Sequence, residues 1–286
     1  MPHGRSIHGS DAVDSGELTE HQLRRWYRPI FRDVYVPKSA APSLNDRMLG
    51  AWLWSRRRAV VAGAAASALH GAQWVDADTP VELVAKSARP QAGLVVRNET
   101  LGSDEVTWRR RLPVTTVART AYDLGRHLPR GQALERLDAL MRATPFSAED
   151  VGVLAKRYRG ARGLRQLEEL LPLVDGGAAS PRETWLRLLL IDAGLPKPTT
   201  QIPVVDGWYL VGVLDMGWEH FQVAAEYDGD QHRTDRRRYV NDINRNAKVQ
   251  DKGWITIRVV AEHRPDDVVR RVYQALIRRG YRPDRR

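Results

Sequence analysis

The chain has 286 residues, 42% of them hydrophobic, which is enough for two domains with cores of their own. No stretch approaches about 18 uninterrupted apolar residues and the N-terminus lacks a signal-peptide core, so neither membrane insertion nor export is expected and the reading is a soluble, cytoplasmic protein. The absence of cysteine removes disulfides, thiol catalysis and thiolate zinc sites, and a net charge of +10 points to a polyanionic partner.

Residues 1–17, rich in Gly, Ser and His without periodicity, are expected to form a disordered leader. Residues 18–174 make the first folded part. Thr19 and Gln22 provide a capping box for a short helix through "LTEHQLRRW", and "IFRDVYVP" reads as a strand stopped by Pro37. A helix followed by a strand or wing is the minimum signature of a winged helix, here truncated, in which Arg24 and Arg25 would contact DNA. "NDRMLGAWLWSRRRAVVAGAAASALHGA" reads as two helices, the second ended by Gly71.

Strands are expected at "VELVA", "LVVRN" and "VTWRR". Thr115 or Thr116 caps "VARTAYDLGRHL", and "GQALERLDALMRA" follows with Leu134, Leu137 and Met141 on its apolar stripe. Ser147 with Asp150 starts one more helix, and "GLRQLEELLPLV" carries helical material to Val174. "DGGAAS", residues 175–180, reads as the linker between domains.

Residues 181–286 change in character. Ser180 as N-cap, Pro181 at N1, Glu183 at N3 and Gly194 as the stop define a helix. "WYLVGVLDMGW" and "FQVAAEYDG" are two apolar strands joined near Glu219 and His220. A polar helix from Thr234 to Lys252, a buried strand "WITIRVV" and a closing helix complete an αββαβα order, so the fold class is α/β with an α+β N-terminal part. On the polar helix Tyr239, Ile243 and Ala247 make the packing stripe. Arg237, Asn241, Arg245, Lys248 and Lys252 share the other face, either solvated or against phosphates. Most of the positive excess, sixteen Lys or Arg against seven Asp or Glu, follows residue 230, where it serves solubility or grips a nucleic-acid backbone.

Asp215 ends one strand, and Glu226 and Asp228 end the next on one face, because strand side chains repeat every two residues. Carboxylates converging at the end of an apolar sheet repel one another unless a cation or protons compensate them. Oxygen-rich sets of this kind suit Mg²⁺ or Mn²⁺, which can activate water and neutralise a phosphodiester. Each acid also has a local role to weigh: Glu183 completes a capping box, and Asp228-Gly229 is a turn dipeptide.

Glu183 on a leading helix, Asp215, "EYDGDQH", the polar helix and "GWITIRV" together resemble the PD-(D/E)XK nuclease superfamily, in particular its very-short-patch-repair (Vsr-like) branch, over roughly residues 180–279. The resemblance implies a restriction-endonuclease-like core, Mg²⁺ or Mn²⁺ held by Asp215 and Glu226, and DNA nicking at mismatched or damaged sites, as in DNA repair. Asp215 matches the first Asp of the motif and Glu226 its second acid, while Asp228 stands where the superfamily has Lys, a departure shared with the branch. His232 is then the candidate to accept the water's proton or protonate the leaving oxygen, with Lys248 or Arg245 as alternatives.

"AAASALHGAQW", "LPVTTVARTAYDLGRHL" and "LERLDALMR" resemble the abortive-infection type antitoxin family, whose members join a winged-helix DNA-binding domain to a helical and stranded body. Such bodies occur fused to Vsr-like nuclease domains. Two readings follow: a metal-dependent DNA endonuclease, or a DNA-binding regulator of antitoxin type with a non-catalytic nuclease-like domain. DNA is the expected partner in both; a homodimer or a further protein partner stays open.

Overall fold

In the computed structural model, residues 6–39, 41–86, 91–229 and 236–283 are described, with the backbone alone for 236–243. The chain divides into two compact units, Met1–Val174 and Asp175–Arg286. Among the described residues no helix is long and apolar enough to cross a membrane.

The first unit opens with Ile7–His8 (β1) and Gly9–Asp14 (α1), in place of the expected leader. Burial is the reason: Ser6, His8 and Ala12 are sequestered from solvent, and the His8 ring accepts the Asp11 N–H to cap α1. Thr19 caps Glu20–Trp26 (α2) through reciprocal bonds with Gln22. Tyr27–Phe31 (β2) and Val34–Pro37 (β3) form an antiparallel hairpin where the sequence suggests one strand. Asp33 makes its turn at a φ of 57°, with its carboxylate accepting the Ser10 N–H. The sheet order is β1-β3-β2.

Leu44–Trp54 (α3) ends at Arg56 and Arg57, both at positive φ, and the chain turns into Val60–Ala62 (β4) before Gly63–Leu69 (α4). The run read as two helices therefore contains a strand. Val61 and Ala62, on opposite faces of β4, are both buried, and burial on both faces of a sheet overrides the helix propensity of alanine. Val81–Val84 (β5), Leu94–Arg97 (β6), Val106–Arg109 (β7) and Leu112–Thr115 (β8) complete a sheet of order β6-β5-β4-β8-β7. The β7–β8 hairpin turns through Arg110 and Arg111, at φ of 48° and 66°. Positive φ at both central positions marks a type I′ turn, which favours Asn-Gly; an L side chain there costs about 1–2 kcal/mol per residue.

Val117–His127 (α5), capped by Thr116, packs with Arg130–Ala143 (α6), Ala148–Arg157 (α7) and Leu164–Leu170 (α8). The buried stripe of α6 is Ala133, Leu134, Leu137 and Leu140, with Met141 only half-buried. Around α5 runs a buried ionic network. Arg119, 1% exposed, places Nε 3.1 Å from both oxygens of Asp123, Nη1 2.5 Å from Glu105 and Nη2 2.6 Å from Glu99. Its guanidinium lies 5.3 and 5.2 Å from the ring centres of Tyr122 and Tyr158. Arg126 pairs with Glu99 and Asp123, while Arg157 and the Tyr158 hydroxyl hold the second oxygen of Glu105, each at 2.6 Å.

The second unit runs Pro181–Asp192 (α9), Thr199–Asp206 (β9), Tyr209–Trp218 (β10), Val223–Tyr227 (β11), Arg236–Asp251 (α10), Ile255–Val259 (β12) and Pro265–Arg278 (α11). The expected αββαβα order gains β9 and becomes αβββαβα. Pro203 hides this strand in the sequence; it is tolerated because β9 is the edge of the order β12-β11-β10-β9. β10 and β11 are central, as expected, and β11 pairs parallel to β12. The α/β class stands.

Leu186 and Leu190 of α9 and Val268, Val272 and Leu276 of α11 share one core with Met216, Trp218, Val223 and Ala225. A second, smaller cluster joins Ile202, Val204, Leu214 and Ala224 to Val249 of α10. Val249 packs and Ala247 is exposed, so the packing face of α10 is not the stripe ending at Ala247; the side chains of Tyr239 and Ile243 lie outside the described residues. Segment 175–180 is anchored rather than free. The Asp175 carboxylate accepts the Gly177 N–H at 2.8 Å and the Thr200 hydroxyl at 3.1 Å, and a Cβ at Gly177 would collide with Thr200.

Candidate functional site

The β10–β11 ladder ends at the pair Met216–Ala225, and Asp215 and Glu226 are the next residues out; Asp215 thus lies inside β10, three residues short of Trp218, and does not end the strand as the sequence suggests. The Tyr227 N–H donates to Asp215 Oδ2 at 2.8 Å. Leu214 belongs to the cluster under α10 and Met216 to the one under α9 and α11, so the side-chain alternation of β10 breaks at Asp215. Gln201, between the two β9 residues that pair with Leu214 and Met216, has a φ of 53° at the same level.

Glu183 reaches this place from the first turn of α9. Its carboxylate accepts the Ser180 hydroxyl at 2.9 Å and the Ala179 N–H at 2.8 Å, while Ser180 Oγ accepts the Glu183 N–H. The capping role is real, and the same carboxylate is the strongest charge acting on Asp215. Burial first, then repulsion from Glu183 and Glu226, push the Asp215 carboxyl up to about 7; the Tyr227 N–H and Arg245 oppose the shift.

Glu226 is 6% exposed. Its Oε1 accepts from Arg245 Nη2 at 2.7 Å, and its buried Oε2 has no hydrogen-bond partner among the described residues. Arg245 also donates to the Val213 carbonyl at 2.5 Å and crosses β10 at Gly212, where a Cβ would strike its side chain. The sequence places Arg245 on a solvent or phosphate face, with reaching into the acid site as an alternative; the structure turns it onto the sheet against Glu226, because the packing face of α10 is the one carrying Val249.

These donors suit a hard divalent cation: all are carboxylate oxygens, one is orphaned in a buried place, and a neighbouring acid is pushed up towards neutrality by burial first and like charge second. The three acids do not form a tight cage. Among the described residues the one set of three potential ligand atoms within 4.8 Å of one another is Glu99, Asp123 and His127 of the first unit. That set is already neutralised by Arg119 and Arg126, and its hydrogen bond from His127, with Arg126 beside it, draws Glu99 down to about 2 against burial. The sequence does not disclose it because Glu99 lies 20 to 28 residues from its partners on α5.

A raised Asp215 predicts a pH signature. The folded chain binds this proton more tightly than the unfolded chain, so the penalty is absent below about pH 4, grows as pH rises towards 7 and is complete above it. Asp215→Asn should therefore stabilise the metal-free protein by up to about 4 kcal/mol at pH 8 and hardly at all at pH 4. Urea unfolding in chelator checks it; identical pH slopes for the two chains would show an ordinary Asp215.

The other predicted residues scatter. Asp228 lies one position beyond β11, 39% exposed, with its carboxylate 3.7 Å from Arg258. His232 lies outside the described residues, and Arg237 and Asn241 are placed on α10 by backbone only. Lys248 is exposed with Nζ 5.5 Å from the Tyr209 ring centre, and Lys252 pairs with Asp206 at 2.5 Å. In the first unit Arg24 and Arg25 are exposed in the last turn of α2, Arg24 paired with Glu20.

No family model matches the chain, and no solved structure does. Two curated proteins do: uncharacterized protein Rv2248 of Mycobacterium tuberculosis strain H37Rv and uncharacterized protein MT2308 of strain CDC 1551. Each is 30% identical over 244 residues, 84% of this chain and 86% of the relative. A match of that length exceeds the first unit and runs into the second. The chain therefore belongs to the same family as these two mycobacterial proteins.

Proposed function

We propose that the second unit is a metal-dependent DNA endonuclease that nicks duplex DNA, with mismatched or damaged sites as the substrate class. The observation that carries this reading is the position of Asp215, inside β10, beside Glu226, near the end of β11, one acid raised to about 7 and the other left with an orphaned buried oxygen. Asp215 and Glu226 would hold Mg²⁺ or Mn²⁺, which supplies the charge that activates water and neutralises the phosphodiester. Glu183 fixes the third negative charge from the capped end of α9. Arg245 orients Glu226 through Oε1 and brings a guanidinium to the place where a phosphate would approach. His232 is the candidate to exchange the proton, and the basic residues of α10, Lys248 and Lys252 among them, to hold the backbone.

One observation favours a second reading. Arg245 already supplies a positive charge to Glu226, as it would in a non-catalytic nuclease-like unit belonging to a DNA-binding regulator. Plasmid nicking separates the two, run with Mg²⁺ or Mn²⁺, with and without EDTA, over intact, mismatched and single-stranded substrates. Cleavage lost in EDTA and in Asp215→Ala and Glu226→Ala supports the endonuclease. Metal-independent cleavage, or equal activity in the variants, rejects this site. Binding without cleavage moves the reading to the regulator.

A further inference from the structure

We propose that the β7–β8 hairpin of the first unit is a DNA-contacting prong, with the Arg110–Arg111 turn entering a groove of the duplex. The backbone of this turn is strained, and among the described residues no side-chain contact of Arg110 or Arg111 offsets it. Among the described residues eight that are not glycine have positive φ. Six of them are tied down within their own unit. Asp33 accepts from Ser10, Arg56 and Arg57 pair with Asp11, the Trp74 carbonyl accepts from Arg136, and the Gln201 and Gln222 amides reach Glu183 and the Lys252 carbonyl. Arg110 and Arg111 are the exceptions: both are exposed, and neither side chain has a partner among the described residues.

The turn also rejects the residues that would suit it. A two-residue connection with Arg109 paired to Leu112 calls for Asn-Gly, and this chain places two arginines there. Strain kept at a position with no internal compensation points to a use outside the chain. Three consecutive guanidinium groups, Arg109 to Arg111, sit at the tip, and Trp108 beside them is 62% exposed. β7 is an edge strand, so nothing in its sheet covers that side of the hairpin.

The chemistry selects nucleic acid over a lipid surface. Guanidinium forks hydrogen-bond phosphate oxygens and are drawn into narrow minor grooves, and a two-stranded ribbon is slim enough to enter a groove. A bilayer would reward apolar side chains, of which this tip exposes one, the indole of Trp108, which can equally lie against a sugar or base. The contact is a matter of binding in the first unit and goes beyond the proposed cleavage chemistry.

The test uses the full chain in EDTA, a fluorescent duplex of about 25 base pairs and a salt series. The key variant is Arg110→Asn with Arg111→Gly, which removes both charges and installs the residues the turn prefers. A functional prong predicts opposite movements: a melting temperature higher by about 2–4 °C and DNA affinity at least tenfold lower, with the log–log salt slope shallower by about 2. Arg110→Lys with Arg111→Lys keeps the charge and should retain most of the slope. Unchanged affinity and slope in the Asn-Gly variant would overturn the proposal, as would a lower melting temperature, or lost binding to phosphatidylserine vesicles with DNA binding intact. Nicking is scored separately with divalent ion. Nicking with an unaltered variant affinity sinks the prong alone, whereas altered affinity without nicking sinks the endonuclease alone.

Discussion

Glu226→Gln is expected to lower divalent-ion-dependent nicking by on the order of 10³-fold, about 4 kcal/mol of transition-state stabilisation, while DNA affinity in EDTA stays within a few-fold. The substitution keeps the shape of the side chain and an oxygen for Arg245, so the arrangement of β10, β11 and α10 should survive. What disappears is one negative charge beside Asp215. Asp215 should then titrate lower, since Glu226 is one of the two acids that push it up, and the metal-free protein should be no less stable than the parent. Rate, ion binding by calorimetry and urea unfolding together separate a lost ligand from a broken fold. Nicking retained within tenfold, or a large stability loss with no change in ion affinity, would show that Glu226 holds Arg245 and nothing more.

Arg119→Met should cost the first unit about 3–5 kcal/mol, the range for breaking a buried ion pair by removing one partner. Among the described residues Arg119 is the one side chain that touches Glu99, Glu105 and Asp123 together. Without it Glu105 keeps Arg157 and Tyr158, but among the described residues Asp123 retains only the Arg126 ion pair and the weaker influence of His127 in a deeply buried place. Burial already raises Asp123 above its usual range with Arg119 present. The variant should raise it further, so the loss is largest at pH 8 and partly relieved towards pH 4, where the carboxyl takes up a proton. Urea unfolding at both pH values measures the difference; a loss under about 1 kcal/mol at pH 8 would mean the network is replaceable by simple packing.

What the sequence disclosed and what it hid follow from the range of the forces involved. Caps are local, three or four residues wide, and Thr19 with Gln22, Ser147 with Asp150 and Ser180 with Pro181 all read correctly. Asp215 and Glu226 stood out because an acid in an apolar strand has no local duty, although Asp215 proves to lie inside β10 and not at its end. β4, β8 and β9 escaped because alanine and proline mask strands whose burial or edge position only the sheet determines. The Arg119 network was invisible, since Glu99 and Glu105 lie 20 and 14 residues away and nothing in their own segments marks them. The orientation of α10 was misread because a helix this polar has a weak apolar period, and Val249 with the stem of Arg245 outweighs Ala247.

The knot around Asp175 sets where the second unit can be excised. A fragment beginning at Pro181 would shed Ser180 and Ala179, the donors that hold the Glu183 carboxylate, and with Asp175 the clasp on Thr200 at the head of the outermost strand. Cutting after Val174 preserves all of these. A shorter fragment that proved inert would report on a frayed scaffold and not on the chemistry of its acids.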